Sequence, residues 1–198
     1  SDAFFHSTIK EITIPSKVEY LEEGWCRDTN ELTHIKINSN NKHFQYINDQ
    51  FLVTLYDSQY YDDEQSIKNE TNKNKSTENY ILLFARRDIE NAVIPSNIKR
   101  IAKCAFYGCT KLKSVIFSSS SVLEEISEEA FSNCSSLEKI ESLPASLKII
   151  RRSAFDECKK LSQIEFHPEC ELEIIERESF KNTSINQLFL SQKIMHLE

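Results

Sequence analysis

The chain has 198 residues, a formal net charge of −7, 39% apolar side chains and a mean hydropathy of −0.47. That length fits one domain or two small ones. The acidic balance makes nucleic acid and anionic membrane poor partners for the molecule as a whole, no apolar run is long enough to span a bilayer, and two glycines leave a phosphate-cradling loop almost nothing to be built from.

Residues 3–14 read as half of a repeating unit, because Phe4-x-x-Ser7-x-Ile9-x-x-Ile12-x-Ile14 matches Phe180-x-x-Thr183-x-Ile185-x-x-Leu188-x-Leu190. Residues 15–37 form a full but irregular unit with Pro15, Val18, Leu21, Trp25, Leu32, Ile35 and Ile37. Trp25 is set in the position that phenylalanine holds elsewhere, with one residue fewer before it and one more after it. Residues 38–88 break the period. Phe44–Ile47 and Phe51–Tyr56 read as a hairpin turning at Asn48-Asp49, and Tyr80–Phe84 as a strand returning to Phe51–Leu55. Asp57 to Asn79 is polar and acidic, and is expected to be a mobile loop.

Residues 89–190 carry the regular pattern. Ile101, Ile126, Ile150 and Ile175 recur at steps of 25, 24 and 25, and Phe106, Phe131, Phe155 and Phe180 keep the same steps. Cys109, Cys134, Cys158 and Thr183 follow them in a third column. A fixed period in this range marks a solenoid, propeller or array. Each unit ends in a strand signature such as Leu112-x-x-Val115-x-Phe117, which puts Val115 and Phe117 inward and Ser114 and Ile116 outward. The F-x-x-C-x-x-L stretch runs at steps of three, which predicts a helical or 3₁₀ turn on the opposite side. Residues 191–198 start one more unit, since Ile194-x-x-Leu197 matches Leu172-x-x-Ile175. Both ends read as cuts through a unit, of a longer protein or of a short one with frayed ends.

The unit Ala105-Phe106-x-x-Cys109-x-x-Leu112-x-x-Val115, led by Ile94-Pro95-Ser96-x-Ile98-x-x-Ile101, resembles the BspA-like class of leucine-rich repeats. The resemblance covers nearly the whole chain. It implies a single leucine-rich-repeat solenoid over 1–198, an α/β-type horseshoe that is mostly β with short helical or 3₁₀ turns. Parallel strands would line its concave side. Repeats at 3–37 and 89–190 would flank a β-hairpin island at 38–88, a feature such proteins often carry, with a truncated repeat at 191–198. Proteins of this class are surface or secreted proteins of anaerobic bacteria and parasitic protists, often linked to adhesion, and the Ser/Asn/Lys-rich wording here looks more like a protist than a bacterium.

The candidate chemistry is thin. Cys109, Cys134 and Cys158 would stack as a buried thiol ladder, while Cys104 and Cys109 leave an intra-unit disulfide open, and Cys26 and Cys170 fall in connecting segments. No C-x₂-C pair is present, and His6, His34, His43, His167 and His196 share no metal or catalytic spacing. No catalytic motif, metal site or cofactor site is expected, and the chain reads as not an enzyme. Four sequons begin at Asn69, Asn74, Asn133 and Asn182.

The outward strand positions would form a shared strip: His34, Lys36, Ser114, Ile116, Lys139, Glu141, Gln163, Glu165, Gln187 and Phe189. Ile116 and Phe189 are its apolar points, suited to a protein partner. The island loop, with its tyrosines and acids, is a second candidate surface. The expected function is a non-enzymatic protein–protein interaction module of a cell-surface or secreted adhesion protein, by resemblance. The alternative is a cytoplasmic leucine-rich-repeat scaffold. The expected partner is a protein, with no nucleic acid and no membrane contact by this stretch, and oligomeric state left open.

Overall fold

In this computed structural model residues 4–56, 78–190 and 193–198 are described. They form fourteen strands and no helix: β1 (Glu11–Ile14), β2 (His34–Ile37), β3 (Phe44–Ile47), β4 (Phe51–Leu55), β5 (Tyr80–Ala85), β6 (Asn91–Ile94), β7 (Ile98–Ile101), β8 (Ser114–Phe117), β9 (Glu125–Ile126), β10 (Lys139–Leu143), β11 (Ile149–Ile150), β12 (Gln163–Phe166), β13 (Ile174–Ile175) and β14 (His196–Leu197). The units of Phe106, Phe131 and Phe155 each contribute one rung to each of two sheets, and the unit of Phe180 contributes one to the second sheet alone. The concave sheet runs β12-β10-β8-β6, all parallel. The second sheet stacks the isoleucine column, Ile101 on Ile126 on Ile150 on Ile175 on Leu197. The hairpin joins this second sheet: β3 and β4 are antiparallel, β4 and β5 are antiparallel, and β5 lies parallel to β7. The acidic stretch expected to be mobile lies, apart from Glu78 and Asn79, outside the described residues.

The steps of three on the remaining side make consecutive turns rather than a helix. Ala105, Tyr107 and Cys109 donate their N–H groups to Ala102, Cys104 and Phe106 at 3.0–3.1 Å. The N–H groups between them leave the coil: Cys104 donates to Glu128, Phe106 to Ala130 and Gly108 to Ser132, at 3.3, 2.7 and 2.9 Å. Phe131 and Phe155 repeat this with Ala154 and Ser179. A helix would keep every interior N–H within its own segment; here every second one belongs to the next coil. The geometry needs left-handed backbone two residues before and after each phenylalanine, at Cys104 and Gly108, Glu129 and Asn133, Ser153 and Glu157, and Glu178 and Asn182. With so few glycines, the chain places glutamates and a cysteine at these strained φ values. At Gly108 a Cβ would also meet Asn30 Oδ1 at 2.3 Å.

The aromatic column is continuous. Phe106, Phe131, Phe155 and Phe180 stack with ring centroids 4.5, 5.2 and 5.4 Å apart, and Phe51 of the hairpin extends the column past Phe106 at 5.9 Å. Trp25 does not take this position. Its unit has left-handed residues at Gly24 and Asp28, with N–H bonds from Trp25 to Glu22, Arg27 to Gly24 and Thr29 to Cys26. In that frame Cys26 holds the phenylalanine position and Trp25 the place of Ala105. The spacing irregularity around Trp25 therefore disappears when the count starts from Cys26. The indole fills a second apolar cluster, between Phe4 at 6.2 Å and Phe84 at 5.8 Å.

The two clusters meet at Arg87, which is 3% exposed. Its Nη2 donates to Cys26 O at 2.9 Å on the N-terminal side, and its Nη1 donates to Ala105 O at 2.8 Å on the regular side. The guanidinium lies over the Phe84 ring at 4.6 Å. The hairpin interrupts the coil-to-coil turn ladder, and Arg87 supplies donors across the interruption.

Charge alternates from coil to coil. Residues 93–117 carry five basic side chains and no acidic one, and 118–142 carry six acidic and one basic. Residues 143–166 carry five basic and three acidic, and 167–190 carry five acidic and two basic. Neighbouring coils pair accordingly: Lys99 with Glu124 at 3.5 Å, Lys103 with Glu128 at 2.7 Å, Arg151 with Glu125 at 3.4 Å and with Glu176 at 2.8 Å, and Arg152 with Glu128. Each half-exposed pair contributes at most about 1 kcal/mol. A stack shifted by one coil would oppose like charges, so the alternation specifies the order of stacking.

Phe131→Ala is expected to cost about 3–5 kcal/mol in chemical denaturation, as for a core aromatic truncated to alanine. Arg87→Lys is expected to destabilise the chain by about 2–4 kcal/mol, because an ammonium cannot reproduce the two-sided fork. Hydrogen exchange should then rise first in residues 4–37.

Candidate protein-binding surface

The concave sheet buries one face and presents the other. Along β6 the pattern is Asn91 out, Ala92 in, Val93 out and Ile94 in. The register sets Asn91 beside Ser114 and Val93 beside Ile116, then Ser114 beside Lys139 and Ile116 beside Glu141. Beyond β10 the ladder shifts. Ser142 is an extra residue in left-handed backbone, and the pairing resumes at Leu143 with Phe166. This bulge absorbs the one-residue excess between Phe131 and Leu143.

The structure redraws the strip. Ile116 is half-buried and Val93 is 59% exposed, so the sheet carries an adjacent aliphatic pair. Lys139, Gln163 and Glu165 are exposed and Glu141 half-buried. Ser114 is buried, since neighbours on both rungs cover it and its hydroxyl donates to Asn91 Oδ1 at 2.8 Å. His34 and Lys36 are exposed but belong to a separate ladder, β1 with β2, which pairs with no rung of the main sheet. Lys36 there binds Glu11 at 2.7 Å, and His34 Nδ1 lies 2.9 Å from Thr33 Oγ1. Gln187 and Phe189 lie in no strand. Ser184 N–H reaches Leu161 O, out of the frame in which Glu138 reaches Lys113 and Ser162 reaches Glu138. In 185–190 the side chains keep their faces, with Ile185 and Leu190 packed on the core, but no strand forms on β12, and Phe189 faces outward, 77% exposed.

Val93 and Asn91 are the residues that sequence reasoning missed. The signal was present, because Ile89-x-x-Ala92-x-Ile94 repeats the inward spacing of Leu112-x-x-Val115-x-Phe117. Its alternate positions are outward by the same rule.

Lys139 hydrogen-bonds Glu141. That bond, with the carboxylates of Glu165 and Glu138 nearby, holds its ammonium above the ordinary lysine value. Next to it lies an open recess of about 500 Å³, lined by Glu138, Lys139, Lys159, Lys160, Ser162, Gln163 and Ser184. It is shallow and mixed in charge, unlike the enclosed apolar clefts that hold small ligands.

The thiols are structural. All six cysteines are free and buried. Burial raises Cys109 and Cys134 well above the ordinary thiol value, which keeps them protonated and able to donate. Cys134 Sγ donates to Phe106 O and Cys158 Sγ to Phe131 O, both at 3.1 Å, each reaching the preceding coil. In the irregular units the same column holds a hydroxyl: Thr29 donates to Cys26 O at 2.7 Å and Thr183 to Phe180 O at 2.8 Å. The column therefore selects a small side chain that donates a hydrogen bond. Cys104 points instead at Glu129 Oε2, at 3.5 Å in the other cluster, so no Cys104–Cys109 disulfide is formed. Among the described residues no His, Cys, Asp and Glu cluster could hold a metal ion, and no helix is long and apolar enough to cross a membrane. Asn133 is half-buried and Asn182 exposed, while Asn69 and Asn74 lie outside the described residues.

The BspA-type leucine-rich repeat region matches residues 1–52 and 65–198 in six copies, and the chain belongs to that family. A leucine-rich cell surface protein from Faecalibacterium prausnitzii shares the fold, with a TM-score of 0.60 at 21% identity over 93% of this chain and 48% of that one. The T. pallidum leucine-rich repeat protein matches with a TM-score of 0.54 at 29% identity, over 60% of this chain and 56% of its own. The pneumococcal vaccine antigen PcpA matches with a TM-score of 0.59 at 19% identity, over 82% and 40%. The chain thus spans about half the length of the solved structures it resembles. No curated protein matches it by sequence.

Cys134→Ser keeps a donor and is expected to cost less than about 1.5 kcal/mol, whereas Cys134→Val keeps the volume, loses the donor and should cost about 1–3 kcal/mol. Thermal unfolding of the two variants orders them. Thiol titration of unfolded wild-type protein under non-reducing conditions should count six free groups.

Proposed function

We propose that the chain is a non-enzymatic protein-interaction module, part of a surface or secreted adhesion protein that contacts host or microbial proteins through the outward face of β6, β8, β10 and β12. One observation carries this reading: Val93 and Ile116 stand side by side, outward, Val93 on the edge strand β6 and Ile116 on β8, which is held between β6 and β10. Aliphatic side chains held in place on a rigid sheet lose little entropy on binding and make good anchors. Membership of the leucine-rich repeat family supports a binding role. The surface placement is supported by a neighbour described as a cell surface protein and another described as a vaccine antigen.

The test is binding of the purified chain to a panel of immobilised host matrix proteins. Val93→Asp with Ile116→Asp should weaken the strongest interaction by at least about tenfold, the loss expected when an interface anchor is removed. Circular dichroism should stay unchanged. Equal binding by wild type and the double variant would reject the sheet as the contact surface.

A further inference from the structure

We infer that the concave sheet is built for a partner segment that presents an aliphatic or aromatic side chain together with a lysine or arginine. This rests on the concave-sheet reading above and names the chemistry of the partner.

The argument is the order of side chains across the rungs. One outward column reads Val93, Ile116, Glu141, in register, and Glu165 follows on the next rung. The apolar pair occupies β6 and β8, and the carboxylates occupy β10 and β12. Strands in one sheet lie roughly 4.8 Å apart, so the centres of the two halves are about 10 Å apart. The parallel column, Asn91, Ser114, Lys139 and Gln163, adds no second apolar point and no second acid. Asn91 and Ser114 are already bonded to one another. Lys139 takes up Glu141, whereas Glu165 is exposed and makes no ion pair among the described residues. One ammonium therefore faces two carboxylates along the outward columns of this half of the sheet, while the strand entrance beside them, with Glu138, Lys159 and Lys160, is mixed in charge. The uncompensated charge on the outward face is negative, and a cationic side chain is what complements it. An apolar anchor alone would leave Glu165 unused, and a basic segment alone would leave Val93 exposed.

Random dodecapeptides displayed on phage and panned against the full chain supply the probe. Wild type should select peptides enriched in Lys or Arg alongside Leu, Ile, Val or aromatic residues. The variant Glu141→Lys with Glu165→Lys should lose those clones by at least about tenfold and select Asp- or Glu-bearing ones with the same apolar anchor. The variant Val93→Ser with Ile116→Ser should lose both sets. Clones that bind the charge-reversed variant as well as wild type, but not the serine variant, would overturn the basic-partner inference and leave the concave sheet as the contact surface. Clones indifferent to both variants would overturn the sheet itself. No enrichment over an uncoated surface would also overturn the inference.

Discussion

The backbone N–H groups of the turn segments govern this structure. In the coils of Phe106, Phe131 and Phe155 every second one has no acceptor within its own coil and is donated to the next, as Phe106 is to Ala130 and Phe131 to Ala154. An N–H left bare in the interior costs about as much as a lost hydrogen bond. A coil is therefore incomplete in its polar groups as well as its apolar ones until another lies on it. The stacked phenylalanines and the thiol-to-carbonyl bonds of Cys134 and Cys158 follow from that spacing. They lie one coil apart because the backbone ladder sets that distance.

The same constraint explains the handling of the hairpin. Inserting three strands into the second sheet keeps that sheet continuous but interrupts the turn ladder. The gap is closed by a side chain. Arg87 can do this because a guanidinium offers several donors in a fixed fork and needs no acceptor of its own. Burying it away from any carboxylate is costly, and the carbonyls of Cys26, Cys104 and Ala105 with the Phe84 face offset that cost. On the concave side, among the described residues, β2 does not pair with β6.

The charge alternation and the outward column of the concave sheet use charge differently. Between coils, opposite charges face one another and are largely satisfied, so that surface is directed at the molecule itself. On the concave sheet Val93 is exposed and Ile116 half-buried, and Glu165 makes no ion pair among the described residues. An unsatisfied array on a stiff framework is the arrangement expected of a recognition surface.

The repeating letters were enough to establish the coil. The isoleucine and phenylalanine columns and the inward and outward alternation of the repeat strands follow from local periodicity, because a stack multiplies one local rule, whereas the hairpin, which breaks the period, was legible from the turn residues Asn48-Asp49 between two apolar runs. The frame of an irregular unit was not legible. Trp25 looks like the phenylalanine equivalent by size, and only the hydrogen bonds of Trp25, Arg27 and Thr29 show that Cys26 holds the position. Nor could spacing show that 185–190 forms no strand on β12, that Ser114 is covered by its neighbours, or that the concave sheet is split between β2 and β6. These depend on which backbone groups meet across coils, and that pairing exists only once the coils are stacked.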